Sequence, residues 1–104
     1  MRAEALKGHL DGMILAVVES AGSMHGYAII SELKMRSGGA LALPEGTVYP
    51  ALHRLEEAGL LSSAWSDHGR KRRVYRITER GQRELGVRRG EWRGFVAAVG
   101  AVLG

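Results

Sequence analysis

The sequence predicts a mainly α-helical domain that carries a small β-hairpin. Three observations support this fold class. Apolar residues recur at the i, i+3, i+4 spacing of amphipathic helices in three segments before residue 59 and in one after residue 78. Between these segments, two short runs alternate in polarity around the turn "HGRK". The length of 104 residues fits a single domain, so all these elements are expected to share one core.

The first two helices are indicated by periodicity and by capping residues. The first is predicted over residues 6–20, with Gly22 as its C-terminal cap. Ser23 is the predicted N-cap of the second helix, because its hydroxyl can accept a free backbone N–H. The second helix is predicted over residues 24–36, and Gly26 in its first turn would allow another backbone to approach closely. Its predicted buried side chains are Tyr27, Ile30 and Leu33.

The third helix is predicted over residues 44–58, and it contains a proline. If the helix begins near Thr47, Pro50 lies in the first turn, where a missing N–H has no cost. If it begins at Pro44, a favoured first position, Pro50 clashes toward the carbonyl of Gly46 and the first turn must loosen. The sequence leaves both starts open.

A hairpin and a long helix complete the chain. "LLSSAWSD" and "RVYRIT" are the predicted strands, and Thr78 is the predicted N-cap of a last helix over roughly residues 79–102. This helix is rich in glycine, and each glycine inside a helix costs about 1 kcal/mol relative to alanine. Gly86, Gly90 and Gly94 lie on one side, where they either permit a close helix contact or only weaken the helix.

Composition narrows the possible functions. The chain has no cysteine, which removes disulfides and thiolate metal sites. Its four histidines form no close pair, and no nucleophile-elbow, phosphate-loop or paired-carboxylate motif is visible. We therefore predict no enzyme activity, no metal and no cofactor. No signal peptide or membrane-length apolar run is visible either, so a cytoplasmic protein without membrane association is expected.

Positive charge is concentrated in one segment. The formal net charge of +4 is modest, but residues 70–93 contain ten basic residues and three acidic ones. A localised basic field favours a polyanionic partner such as nucleic acid. The alternative is a solvated face that has no partner.

The order of helix, helix, helix, hairpin and helix predicts a winged helix-turn-helix domain over residues 1–78. The third helix would enter the major groove of double-stranded DNA, and the hairpin would form the wing. Strand alternation would send Arg72 and Arg73 to opposite sides of the wing. The side chains predicted to contact DNA are Ser23, His25, Thr47, Tyr49, Pro50, His53, Arg54, Arg70, Lys71, Arg72 and Arg73.

The last helix, within residues 79–104, is predicted to mediate dimerisation while forming one compact unit with the rest. Trp92 and Phe95 lie on an apolar stripe of this helix, beyond the winged domain, whose core does not need them. The simplest partner for this stripe is a second identical subunit. Packing against the first helix of the same chain is an alternative, and both arrangements can hold together. The predicted dimer-interface residues are Leu6, Leu10, Leu85, Trp92, Val96 and Val99.

Several motifs, in order, resemble the PadR family of bacterial transcriptional regulators. "LDGMILAVVES" and "HGYAIISEL" are similar to the family's first two helices, and "PEGTVYPALHRLEEAGLL", followed by Trp65, is similar to its recognition helix. "RKRRVYRITERG" resembles the second wing strand and the start of the final helix. The resemblance covers about residues 6–85, departs from the family at Val74, where a second aromatic is common, and indicates the short subgroup with a single C-terminal helix.

The resemblance implies a homodimeric repressor that binds a palindromic operator and whose last helix packs with the first helix of the other subunit. It also implies a small aromatic or cationic effector at the dimer interface that relieves repression. By this analogy, the candidate effector-binding residues are His9, Met13, Trp92 and Phe95. The alternative function is a winged helix used for protein–protein assembly without DNA, against which the basic wing argues.

Overall fold

The structure is a computed structural model that describes residues 6, 8–66, 69 and 71–104. Within these residues the helices and strands follow the predicted order, with one additional short strand. They are α1 (Leu10–Ala21), β1 (Met24–His25), α2 (Gly26–Arg36), α3 (Glu45–Glu57), β2 (Leu61–Trp65), β3 (Arg73–Ile77) and α4 (Glu79–Leu103). The predicted winged helix-turn-helix with a long C-terminal helix is therefore confirmed. Of the predicted site residues, Arg70 lies outside the described residues.

The start of α2 differs from the prediction. Gly22 ends α1 with a positive φ of 81°, as expected, but Ser23 does not cap α2. The N-cap is His25, whose Nδ1 accepts a hydrogen bond from the backbone N–H of Ala28 at 3.3 Å. The cap moves because Met24 and His25 are drawn into a strand. The buried side of α2 also differs from the prediction. Ile29 is fully buried, whereas Tyr27, which was predicted to be buried, is 64% exposed.

The wing belongs to a three-stranded antiparallel sheet with the order β1-β3-β2. Strands β2 and β3 pair from Leu61–Ile77 to Trp65–Arg73, as the predicted hairpin requires. The additional strand β1 pairs with β3 through Met24–Tyr75 and His25–Val74. The beginning of α2 is thus fastened directly to the wing.

The start of α3 is close to the earlier of the two alternatives. Pro44 is the N-cap, with φ −75° and ψ 159°, and the first helical residue is Glu45. Pro50 consequently lies beyond the first turn and cannot donate to the carbonyl of Gly46. Both Gly46 and Pro50 are exposed, so water can reach the freed carbonyl. The missing bond lies at the solvent-facing end of the helix.

The junction between the wing and α4 is tightly built. Thr78 caps α4 as predicted, accepting from the N–H of Gly81 at 2.9 Å, and its hydroxyl donates to the carbonyl of Gly59 at 2.7 Å. Gly81 packs so closely that a Cβ there would lie 2.1 Å from the carbonyl oxygen of Leu60. Only a glycine fits at this position.

One hydrophobic core joins α1, α2, α3, the sheet and the first turns of α4. Its buried members are Leu10, Ile14, Leu15, Val17, Val18, Ile29, Leu33, Leu41, Val48, Ala51, Leu52, Leu55, Leu61, Tyr75 and Leu85. Beyond Leu85, α4 extends away from this core and is almost entirely exposed. None of the described helices is long and apolar enough to cross a membrane.

Candidate nucleic-acid interface

The outer side of α3 presents polar and aromatic side chains to solvent. Pro50, His53 and Arg54 are exposed, Tyr49 is 39% exposed, and Thr47 is half-buried. The structure thus brings together the predicted α3 residues on one helix surface, whose other side packs in the core through Val48, Ala51, Leu52 and Leu55. This side offers hydroxyl, imidazole and guanidinium groups, which can bond both base edges and phosphates.

Tyr49 is held against the first residue of α2. A Cβ built on Gly26 would lie 2.6 Å from Cε1 of Tyr49 and 2.9 Å from its hydroxyl oxygen. Gly26 was expected to admit another backbone, and the group that approaches is instead an aromatic side chain from α3. The absence of a Cβ at Gly26 therefore leaves the space that the Tyr49 ring occupies.

We expect Gly26→Ala to displace the Tyr49 ring and to weaken specific DNA binding by about 1 kcal/mol, or roughly fivefold. The helical backbone of α2 accepts alanine, so the variant should remain folded. Gly90→Ala is the matched control, because a Cβ there meets nothing within 4 Å. Titration of fluorescently labelled DNA measures the affinities, and an equal effect of both substitutions would contradict this role of Gly26.

The described wing cations have different partners. Arg72 Nη1 lies 3.2 Å from Nε2 of His25, on the β1 side. Arg73 Nε donates to Ser63 Oγ at 2.8 Å, and its guanidinium stacks 5.2 Å from the centroid of the Trp65 ring. Lys71 Nζ lies 5.8 Å from the same centroid. β3 begins only at Arg73, so strand alternation does not extend to Arg72, and the predicted placement of the two on opposite sides of the wing stays a prediction.

An acidic residue neutralises part of this charge. Ser63 Oγ donates to Glu56 Oε2 at 2.6 Å, and Arg73 Nη2 lies 3.7 Å from the same carboxylate oxygen. These contacts fasten the wing to the C-terminal half of α3. Burial raises the pKa of Tyr75, the neighbouring Glu56 carboxylate raises it further, and Arg73 partly opposes them. The Tyr75 phenol therefore remains neutral at physiological pH.

A cleft of about 500 Å³ separates the wing from α2 and α3. It brings cations of the wing together with aromatic side chains from both helices. Its lining residues are His25, Gly26, Tyr27, Glu45, Tyr49, Trp65, Lys71, Arg72, Arg73 and Tyr75. The cleft thus joins the predicted wing residues to the start of α3. Of the remaining predicted DNA contacts, Ser23 is half-buried and is not part of this lining.

A second group of predicted residues meets where α1 approaches α4. The rings of His9 and Trp92 are edge-on at 5.2 Å between centroids, and Trp92 and Phe95 are 6.1 Å apart. Trp92 is 50% exposed and Phe95 59%. Met13 is partly buried against the core. We call His9, Trp92 and Phe95 the aromatic cluster; its formation also shows that α4 contacts α1 of its own chain.

Two of the predicted dimer-interface residues are core residues of the single chain. Leu10 is 6% exposed and Leu85 1%, so neither has surface left for a partner. Leu85 shares the apolar stripe of α4 with Val96, which is 47% exposed, but Leu85 lies where α4 still covers α1. Leu10 is on the covered side of α1. Val99 is half-buried, as is Leu6, which is partly packed against the core. The exposed part of the stripe begins only at Trp92.

Several residues of the site gave no sequence signal. Asp11 binds Arg54 and Glu56 binds Ser63, although Asp11 and Arg54 are 43 residues apart in the chain. Such pairs depend on tertiary packing, and local patterns do not reveal them. Among the described residues there is no group of three or more His, Cys, Asp or Glu side chains placed to hold a metal ion.

The sequence matches a known family of transcriptional regulators. The model described as "Transcriptional regulator PadR-like family" matches residues 14–87, most of the chain. The chain belongs to the PadR-like family. PadR proteins are transcriptional regulators that bind DNA, and they are not enzymes. The predictions of this family, of a winged helix and of a non-enzymatic function are therefore confirmed.

Individual PadR relatives agree with this assignment. An uncharacterised protein of Lysinibacillus sphaericus is 32% identical over 94 residues, covering 88% of this chain and 85% of that protein. A transcriptional regulator of Mycobacterium tuberculosis is 46% identical over 63 residues, which cover 60% of this chain and 56% of that regulator. The second match therefore spans little more than half of its relative.

Solved structures match over nearly the whole PadR chain. A transcriptional regulator from Clostridium thermocellum has a TM-score of 0.87 at 25% identity, covering 95% of this chain and 97% of that one. A PadR family regulator from Eggerthella lenta has a TM-score of 0.83 at 31% identity, covering 96% and 86%. The similarity includes α4 as well as the winged domain.

Proposed function

We propose that this PadR protein is a cytoplasmic, homodimeric repressor that binds a two-fold symmetric DNA operator. The observation that carries the proposal is the cleft shared by Tyr49 of α3 and the cations Lys71, Arg72 and Arg73 of the wing. A helix set to enter the major groove and a basic wing beside it face the same side, which one DNA duplex can contact at once.

The two parts of this surface have different roles in the proposal. The exposed side of α3 reads bases in the major groove through Thr47, Tyr49, His53 and Arg54, with Pro50 in apolar contact. The wing grips phosphates or the minor groove through Lys71, Arg72, Arg73 and, beyond the described residues, Arg70. Ser23 and His25 at the start of α2 add phosphate contacts.

The dimer is proposed to form along α4. Trp92, Phe95 and Val96 expose about half of their surfaces on a helix that extends beyond its own core. A second copy, related by a two-fold axis, would cover them with its own α4 and with Leu6, which precedes α1. Two recognition helices about 34 Å apart would then meet successive major grooves.

The aromatic cluster is the proposed effector site. His9, Trp92 and Phe95 form a partly exposed group of rings. Met13 follows His9 by one helical turn, and its backbone N–H donates to the carbonyl of His9. In the dimer, a small aromatic or cationic compound could stack on these rings. Its binding would favour dimers in which the distance between the two recognition helices does not match successive major grooves, and DNA would be released.

Selection of bound DNA from a random pool, followed by footprinting at stated salt, tests the proposal. We expect an enriched sequence with two-fold symmetry and protection of two half-sites about one helical turn apart. A single unsymmetric half-site would exclude the dimer. The absence of any enriched sequence would support the alternative, a winged helix that assembles only with other proteins.

A further inference from the structure

We propose that Asp11 of α1 is a positioning residue that competes with DNA for Arg54 and so lowers the affinity of the recognition helix. This inference rests on the proposed DNA-binding role of α3. Asp11 contacts no DNA in the proposal. It acts through Arg54, which must leave or share this carboxylate to reach a phosphate or a base.

The geometry of the pair supports such competition. Arg54 Nη2 lies 2.5 Å from Asp11 Oδ1, and the pair joins α3 to α1. The two side chains differ in exposure: Arg54 is 58% exposed, whereas Asp11 is 19% exposed. The guanidinium is therefore accessible to DNA, while the carboxylate stays within the protein.

Asp11 lies at a position in its helix from which a carboxylate attracts a cation. α1 begins at Leu10, so Asp11 lies in the first turn, where the helix dipole favours a negative charge. Among the described residues, its only charged partner is Arg54. When Arg54 leaves the pair, the partly buried Asp11 carboxylate needs a cation or water from solvent in its place.

The wing cations differ from Arg54 in this respect. Among the described residues, neither Lys71 nor Arg72 forms an ion pair with an acid, and Arg73 lies 3.7 Å from Glu56. Lys71 and Arg72 can therefore reach phosphates without giving up a carboxylate among the described residues, and Arg73 gives up only the longer contact with Glu56. Among the proposed DNA contacts that the structure describes, Arg54 has the shortest contact with a carboxylate.

A measurable consequence concerns salt. DNA binding releases counterions from phosphates, and each neutralised phosphate steepens the dependence of log K on log salt by about 0.9. When Arg54 moves to DNA, the vacated Asp11 takes up a solvent cation and offsets part of this release. Asp11→Asn removes the offset, so we expect a slope steeper by up to about one unit.

The experiment is a double-mutant cycle on the selected operator, with wild type, Asp11→Asn, Arg54→Gln and the double variant. Asp11→Asn should tighten binding roughly two- to fivefold, the range of a partly exposed ion pair. In the Arg54→Gln background, the same substitution should change nothing. Glu19→Gln is the matched control, because Glu19 also lies on α1 and pairs with an arginine, Arg89 of α4, outside the proposed interface.

The outcomes separate this inference from its alternatives. An equal gain in both Arg54 backgrounds, or the same gain from Glu19→Gln, would show a general charge effect and overturn it. Unchanged or weaker binding by folded Asp11→Asn would overturn it too. If wild type yields no footprint, the proposed function itself fails. NMR of the Arg54 guanidinium in the wild type needs no variant: its Nε–H resonance should shift on DNA binding, and an unchanged resonance opposes the inference.

Discussion

A Val96→Glu variant is expected to be a folded monomer that no longer protects the operator. In a two-fold interface each copy brings its own carboxylate, so two charges would be buried without partners. We expect the dimer to weaken by at least about 3 kcal/mol, which is more than a hundredfold in its dissociation constant. Light scattering after size-exclusion chromatography measures the mass, and footprinting measures operator binding.

Val87→Glu is the matched control for this substitution. Val87 is also exposed on α4, at 54%, but lies about 180° around the helix from Val96. It belongs to the side that carries Gly86, Gly90 and Gly94, whose Cβ positions face open space. If Val87→Glu dissociates the dimer and Val96→Glu does not, the glycine side is the interface and the aromatic stripe is not.

Replacing Arg72 and Arg73 together by alanine is expected to weaken binding to all DNA sequences similarly. Loss of two phosphate contacts should reduce the salt slope by roughly one to two units. At physiological salt we expect about a tenfold or larger loss of affinity. The selected operator and a scrambled duplex should lose nearly the same factor, because phosphates carry no sequence information.

The single variants refine this result. Arg73 also binds Ser63 and stacks on Trp65, so Arg73→Ala should loosen the wing as well as remove a charge. Arg72 lies beside His25, so Arg72→Ala should mainly report the loss of the phosphate contact. Arg93→Ala, an exposed cation on the distal half of α4, is the charge control. An unchanged salt slope in the Arg72 and Arg73 double variant would remove the wing from the proposed interface.

Local chemistry explains which parts of the fold could be predicted from sequence. The caps at Gly22 and Thr78 were recognised because each depends on neighbouring residues and on its own side chain or lack of one. The strand at Met24 and His25 was not recognised. It has only two residues and exists because β3, about fifty positions later, supplies its hydrogen-bonding partner. The misplaced cap at Ser23 follows from that omission.

The same distinction applies to the site. Helical periodicity placed Leu85 and Val96 on the same side of α4. It did not reveal that α1 covers Leu85 and leaves Val96 exposed, because that depends on tertiary packing. The exposed side of α3 was predictable because residues such as Tyr49 and Pro50 are rare on the solvent-facing side of a helix. The ion pair of Arg54 with Asp11 was not predictable, because it depends on how α1 crosses α3.

The contacts around Thr78 hold the start of α4 rigidly against the winged domain. The hydroxyl of Thr78 and the close contact of Gly81 with Leu60 leave little freedom between this helix and the winged domain. α4 has 25 residues, so its length is about 37 Å. A tilt of about 5° at its far end would therefore move the winged domain by about 3 Å, close to the rise of one base pair. In a dimer joined along α4, a small change in the angle between the two long helices would become a change of register on DNA.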